Sequence, residues 1–112
     1  MTKKYTHQVI FCIVNSGFSD VAMDAAKKAG ARGGTVFNAR GTGAQEAEAF
    51  FGISVQPEKE IVMIVAPTED HEKILQCLYD EVGLKSHGQG IAFSMPVDGV
   101  VGLTAPQEKK ED

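Results

Sequence analysis

The sequence has no tryptophan, only two cysteines, and no apolar run of the roughly 18 residues that a membrane-spanning helix needs. Two cysteines are too few for a disulfide-built scaffold. No apolar segment behind the lysines of the N-terminus is long enough for a signal peptide, so we expect a cytoplasmic protein. The 11 basic residues are outnumbered by 15 acidic ones, for a net charge of -4. No basic stripe is present, which argues against a nucleic-acid partner.

The two cysteines are both placed in apolar patterns. Cys12 lies inside the run Val9–Val14, and Cys77 follows Ile74 by three residues on the same predicted helix face. We interpret both as buried thiols that pack as small apolar side chains. A redox or metal-binding pair stays open, although no CxxC or Cys/His spacing supports one.

The same structural unit, a strand, a helix and a second strand, is predicted twice along the sequence. In the first copy, Val9–Val14 is an apolar run of strand length, and Ser16 or Ser19 could cap the helix that follows. That helix shows one apolar face at Val21, Ala22, Ala25, Ala26 and Ala29. Gly30 is placed to end the helix, and a second strand is predicted over Thr35–Arg40.

The second copy repeats this order. A strand is predicted over Ile61–Ala66, and Pro67 and Thr68 introduce a helix that Gly83 ends. The apolar face of this helix is formed by Ile74, Leu75, Leu78, Tyr79 and Val82. A last strand runs from Ile91 to Met95 and is closed by Pro96. The order βαββαβ predicts a single α+β domain over residues 1–112, a ferredoxin-like sandwich with a four-stranded antiparallel sheet and two helices on one face.

Residues 41–59 form a connection between the two copies that is longer than most, so we interpret it as an excursion from the domain. It carries Phe50 and Phe51, an unusual pair for an exposed loop. The pair either folds back onto the body or a neighbouring subunit, or forms a tip that contacts a partner protein. The tail 105–112 is almost entirely polar, and we expect it to be solvated.

The two central strand runs do not alternate apolar and polar residues, so both faces of the sheet should be apolar. Two helices can cover only one of these faces. The other face would leave several hundred Å² of apolar surface in water, about the upper limit for a monomer. We therefore predict self-association with the sheets facing inward.

Three segments resemble the PII signal-transduction family of nitrogen regulatory proteins and its PII-like relatives. They are Gly30–Val36, Ala39–Gln45 and Gly88–Val97, in the family's order and spacing. The resemblance implies a homotrimer with ligand clefts between subunits. It also implies a loop, the T-loop at 41–59, that contacts partner proteins such as a membrane transporter or a metabolic enzyme.

The family's cleft binds ATP or ADP, and often 2-oxoglutarate with magnesium. The family's cleft positions fall on or beside nine residues of this sequence: Thr35, Gly41, Thr42, Gly43, Gln45, Ile64, Gly88, Gln89 and Gly90. Glycines let backbone N–H groups approach phosphate oxygens, which fits a nucleotide, although ordinary turns use glycine in the same way.

The basic residues that hold phosphates in the family are absent from this sequence. Their places are taken by Ala44, Glu58, Ile91, Gly102 and Thr104. Each lost charge-assisted contact costs about 1.5–3 kcal/mol, so we expect weak or absent ATP binding. The expected effector is an adenine nucleotide (AMP, ADP or ATP), and the lost contacts favour AMP, another adenine ligand, a small anion or no nucleotide over tightly bound ATP. No cofactor is required.

The sequence therefore predicts a PII-like signal-transduction protein that binds a small ligand and controls a partner. We expect no enzyme activity, because no nucleophile–base–acid set is present. The alternative is a trimeric metal-handling protein similar to the divalent-cation tolerance proteins, in which Cys12, Cys77 and His87 would have to serve as ligands.

Overall fold

The computed structural model describes residues 5–41, 58–84 and 90–103. Four strands and two helices are present in these ranges: β1 (His7–Asn15), α1 (Ser19–Lys28), β2 (Thr35–Arg40), β3 (Glu58–Pro67), α2 (Thr68–Glu81) and β4 (Gly90–Val97). The βαββαβ order is the predicted one.

The strands form one antiparallel sheet in the order β2-β3-β1-β4. The central pair β1 and β3 is in register with Ile10 opposite Ile64, and β4 joins the other side of β1 with Phe93 opposite Phe11. Strand β2 is hydrogen-bonded to β3 alone, so β2 and β4 are the two edges. The sheet order and the two helices confirm the predicted ferredoxin-like fold.

Both helices pack on one face of the sheet, because every second residue of β1 and β3 is apolar and turned toward them. The residues of this core are almost inaccessible to water: Ile10, Cys12, Val14, Ala22, Ala25, Ala26, Ala29, Ala31, Val62, Ile64, Ala66, Ile74 and Leu78. The helix interface is thus built from alanines on α1 and larger side chains on α2.

Both cysteines belong to this core region, as predicted. Cys12 is fully buried, and burial raises the pKa of its thiol to about 11. Cys77 is partly buried and packs against the core cluster. Both thiols are free.

Several element boundaries differ from the prediction. Neither Ser16 nor Ser19 caps α1; Phe18 is the N-cap residue, and no side chain of its own caps the helix. Strand β3 begins at Glu58, so the last two residues of the predicted excursion are paired with β2. Strand β4 continues through Pro96 to Val97, which an edge strand tolerates because one side of its backbone needs no partner.

The second face of the sheet is apolar and uncovered by either helix. We call this surface the open face; it comprises Val9, Phe11, Ile13, Phe37, Ile61, Met63, Val65, Ile91, Phe93 and Met95. Ile91 is 57% exposed and Met95 45%, whereas the central strands are half-buried by their neighbours. The rings of Phe11 and Phe93 stack with centroids 5.5 Å apart. The prediction that the two central strands have apolar residues on both faces is thus confirmed.

Neither α1 nor α2, the helices of the described residues, is long and apolar enough to cross a membrane.

Candidate functional site

A cleft of about 690 Å³ opens beside the turn between α1 and β2. We call it the first cleft. Its walls are the turn itself, the carboxyl end of β3 with the start of α2, and the chain after β4. The lining residues are His7, Gly30, Arg32, Gly33, Gly34, Thr35, Met63, Val65, Ala66, Pro67, Asp70, Gly102 and Leu103.

The turn between α1 and β2 can form only because glycine occupies its last position. A Cβ atom on Gly34 would lie 2.8 Å from both the Met63 carbonyl oxygen and Met23 Cε. At the other end of the turn, Gly30 has a φ of 115° and its N–H donates to the Lys27 carbonyl, which ends α1 as predicted. The two glycines bring Arg32 and Thr35 to the mouth of the cleft.

The polar side of the first cleft carries one guanidinium, one carboxylate and one imidazole. Asp70 lies in the first turn of α2, near Gly30, and Lys73 Nζ lies 3.8 Å from its Oδ1. The Nδ1 atom of His7 lies 2.9 Å from Thr6 Oγ1. The cleft is therefore close to neutral, with Arg32 as its permanent positive charge.

The apolar side of the first cleft is formed by residues next to Ile64, one of the predicted positions. The side chain of Ile64 is fully buried under the helices, so it does not line the cleft. Its neighbours Met63 and Val65 line the cleft, because successive strand residues alternate between the two faces of the sheet. Leu103 completes this wall from the chain after β4.

A second cleft of about 580 Å³ lies between α2 and β4. It is lined by Glu72, Leu75, Gln76, Tyr79, Leu84, Gly90, Ile91 and Ala92. Gly90 has a φ of 144°, and a Cβ atom there would collide with the Ile13 carbonyl oxygen. A side chain at this position would therefore push β4 away from β1.

The structure divides the predicted ligand-binding residues between different places. Thr35 lines the first cleft and Gly90 lines the second. Gly41 directly follows β2, and a Cβ atom added to it would lie 3.8 Å from Lys59 Cγ. The remaining predicted positions lie outside the described residues: Thr42, Gly43, Gln45, Gly88, Gln89 and the predicted contact residues Phe50 and Phe51. Within one chain, Thr35 and Gly90 therefore line different clefts.

Sequence reasoning missed His7, Arg32, Asp70 and Leu103 as cleft residues. Arg32 lay within the Gly30–Val36 segment, and its charge between glycines was the available signal. The other three come from β1, α2 and the chain after β4, and only the folded sheet brings them together.

The end of the excursion is fixed to the turn between β1 and α1 by four hydrogen bonds, which we call the stem clamp. Gly17 and Ser19 donate their backbone N–H groups to Glu60 Oε1, each at 3.1 Å. Ser16 N–H donates to the Glu58 carbonyl at 3.2 Å, and Lys59 Nζ donates to Asn15 Oδ1 at 2.6 Å. Hydrogen bonds from the Ser19 side chain and the Gly17 backbone lower the pKa of Glu60.

Across the described ranges, no group of three or more His, Cys, Asp or Glu side chains is placed to hold a metal ion. Cys12 and Cys77, two of the ligands that the metal-handling alternative needs, are packed into or against the core, and His87 lies outside the described residues.

Comparison with known proteins gives a family and a solved structure. The family model described as "Nitrogen regulatory protein P-II" matches residues 7–106. The crystal structure of Arabidopsis thaliana PII bound to citrate is similar, with a TM-score of 0.69 and 23% sequence identity over 89% of this chain and 85% of that one. No curated protein matched.

Proposed function

This chain belongs to the nitrogen regulatory protein P-II family, and on that premise we propose that it is a regulatory protein that binds a small ligand and controls a partner protein. The observation that carries this proposal is that the predicted ligand-binding residues are distributed over two separate clefts of one chain. Thr35 and Gly90 line separate clefts of one chain, so a site that uses both needs two subunits.

We infer a homotrimer as the form that joins the two half-sites. The open face is the surface that supports this inference, since it presents ten apolar side chains on four strands without cover from the described helices. Burying apolar surface stabilises by about 25 cal/mol per Å², so hiding several hundred Å² per chain favours association by many kcal/mol before the entropy of association is subtracted.

The effector that fits the altered cleft is an adenine nucleotide held by fewer phosphate contacts than in other family members. By the resemblance described above, Glu58, Ile91 and Gly102 stand where the family has basic residues, and Ile91 is an apolar part of the open face. None of these three can neutralise a phosphate. We therefore propose AMP or ADP rather than ATP. The citrate in the similar structure supports a site for small anions in this fold.

The loop that begins after Gly41 is the proposed contact with the partner, and a transporter or a metabolic enzyme is the kind of partner we propose. The stem clamp supports this role because it holds the returning end of the loop to the body of the domain. A change of loop conformation would then start from a fixed base. Regulation by binding, without catalysis, is the proposed mode of action, as is a cytoplasmic location.

The proposal is tested by linking assembly to ligand binding. Phe93→Glu places a charge on the β4 side of the open face, where Phe93 stacks on Phe11. We expect this variant to sediment as a monomer and to lose the rise in melting temperature that AMP gives the wild type. Val101→Glu is the matched control, because Val101 is 97% exposed and is not part of the open face. A wild-type chain that sediments as a monomer at micromolar concentration would contradict the proposal.

A further inference from the structure

The position of Arg32 in the first cleft indicates which chemical group a ligand bound there would carry. We propose that Arg32 anchors this ligand through one oxyanion group, either a carboxylate or a phosphate monoester. The inference rests on the proposed function, because it deepens the description of the same site. It concerns a residue outside the positions at which the sequence resembles the family's phosphate-binding residues.

The guanidinium group is suited to this role by its geometry. Arg32 is exposed and lies between Gly30 and Gly33 in the turn that forms one wall of the cleft. A guanidinium has five N–H donors in a planar fork that matches the two oxygens of an oxyanion. It can therefore hold such a group through two parallel hydrogen bonds while another donor keeps a contact within the protein.

The charges around the cleft limit the ligand to a single such group. Among the described lining residues, Arg32 is the one side chain with a permanent positive charge, and Asp70 brings a carboxylate to the same cleft. Lys73 lies 3.8 Å from Asp70 but does not line the cleft. Every further negative group of a polyphosphate would face Asp70 without a second cation, and like charges repel strongly when partly desolvated.

The remaining walls indicate what the anionic group is attached to. Met63, Val65 and Leu103 form an apolar side on the same cleft, which suits a flat or apolar body. The volume of about 690 Å³ lies within the range of sites that take molecules of nucleotide size. The ligand class that satisfies both sides is a compact molecule with one oxyanion next to an apolar or aromatic ring.

Calorimetric titration of the wild-type protein and two variants tests the role of Arg32. The probes are AMP, adenosine, ATP and citrate. AMP and adenosine share a ring and differ in one phosphate, and citrate distinguishes a carboxylate site from a phosphate site. Arg32→Gln removes the charge and the fork. Lys27→Gln is the control, since it makes the same charge change on the exposed side of α1, outside the cleft.

We expect the wild type to bind AMP or citrate more tightly than adenosine, and ATP no more tightly than AMP. Arg32→Gln should weaken the anionic probe about tenfold or more, the equivalent of losing a charge-assisted hydrogen bond, and leave adenosine unchanged. Lys27→Gln should bind like the wild type. Arg32→Lys should bind between the wild type and Arg32→Gln, because it keeps the charge without the fork.

Equal binding of AMP and adenosine by the wild type, or unchanged AMP and citrate binding by Arg32→Gln, would overturn the anchor while leaving the proposed function in place. Binding of none of the four probes to a folded wild-type protein would count against both.

Discussion

Glu60 Oε1 accepts the backbone N–H groups of both Gly17 and Ser19, each at 3.1 Å. These are donors at the amino end of α1, which no capping side chain of the helix itself satisfies. The Glu60 carboxylate, although distant in sequence, thus accepts hydrogen bonds at the start of α1 as the side chain of an N-cap residue would. Its negative charge also lies near the positive end of the helix dipole, which is favourable. The same residue is the third of β3, so the stem of the loop and the start of α1 share one group.

Glu60→Ala should lower the melting temperature, because Gly17 and Ser19 then lose their shared acceptor. Glu58→Ala is the matched control on the same strand. It removes an exposed carboxylate but keeps the backbone carbonyl that accepts from Ser16, so its melting temperature should stay close to that of the wild type. Thermal unfolding followed by circular dichroism measures both. Equal melting temperatures for Glu60→Ala and wild type would show that the clamp contributes nothing to stability.

The stability contribution of Glu60 should depend on pH. Its pKa in the folded protein is lower than the ordinary value of 4.5, because hydrogen bonds from Ser19 and Gly17 favour the charged form. The contribution is therefore fully present above pH 4.5 and is lost as the pH falls through the lower folded value. The melting temperatures of wild type and Glu60→Gln should differ at pH 7 and converge toward pH 3. A difference that stays constant over this range would be the contrary result.

Gly34→Ala should destabilise the protein by about 1–3 kcal/mol, the usual cost of forcing an extra methyl group into a packed site. The added Cβ atom would lie 2.8 Å from the Met63 carbonyl oxygen, which the β2–β3 pairing holds in place. Gly33→Ala is the control in the neighbouring position, where a Cβ atom meets nothing within 4 Å. Urea unfolding of the two variants separates the effect of this contact from the loss of glycine flexibility.

The two thiols should react at different rates. Burial raises the pKa of Cys12 to about 11, so at pH 8 only about one thiol in a thousand is ionised, and its sulfur is also shielded from solvent. Cys77 is partly exposed on α2 and should be alkylated first. Iodoacetamide labelling of the native protein, followed by peptide mass mapping, measures the order. Preferential labelling of Cys12 would mean that the core around it opens more readily than its burial indicates.

The elements with a strong apolar pattern could be predicted from the sequence. Val9–Val14 and Ile61–Ala66 formed the predicted central strands, and Gly30 ended α1 as its position indicated. The strand ends could not be predicted, because residues such as Glu58 and Pro96 are held by backbone pairing that their side chains do not reveal. The same holds for the helix start at Ser19, whose acceptor lies 41 residues away.

The candidate site was less accessible to sequence reasoning than the fold. Thr35 was predicted as a site residue from the family resemblance, and it lines the first cleft. His7 and Asp70 also line this cleft, but only the sheet register and the position of α2 bring them there. Ile64 shows a further limit. Successive strand residues face opposite sides of the sheet, so the sequence alone does not show that the Ile64 side chain is buried while Met63 and Val65 line the first cleft.

The separation of Thr35 from Gly90 has a genetic consequence. In a cyclic trimer, each site would combine the Thr35 side of one chain with the Gly90 side of its neighbour. Two inactive alleles, one damaged on each side, would therefore restore one working site in every mixed ring when they are expressed in the same cell. Complementation between such alleles would be evidence in living cells for the proposed site between subunits.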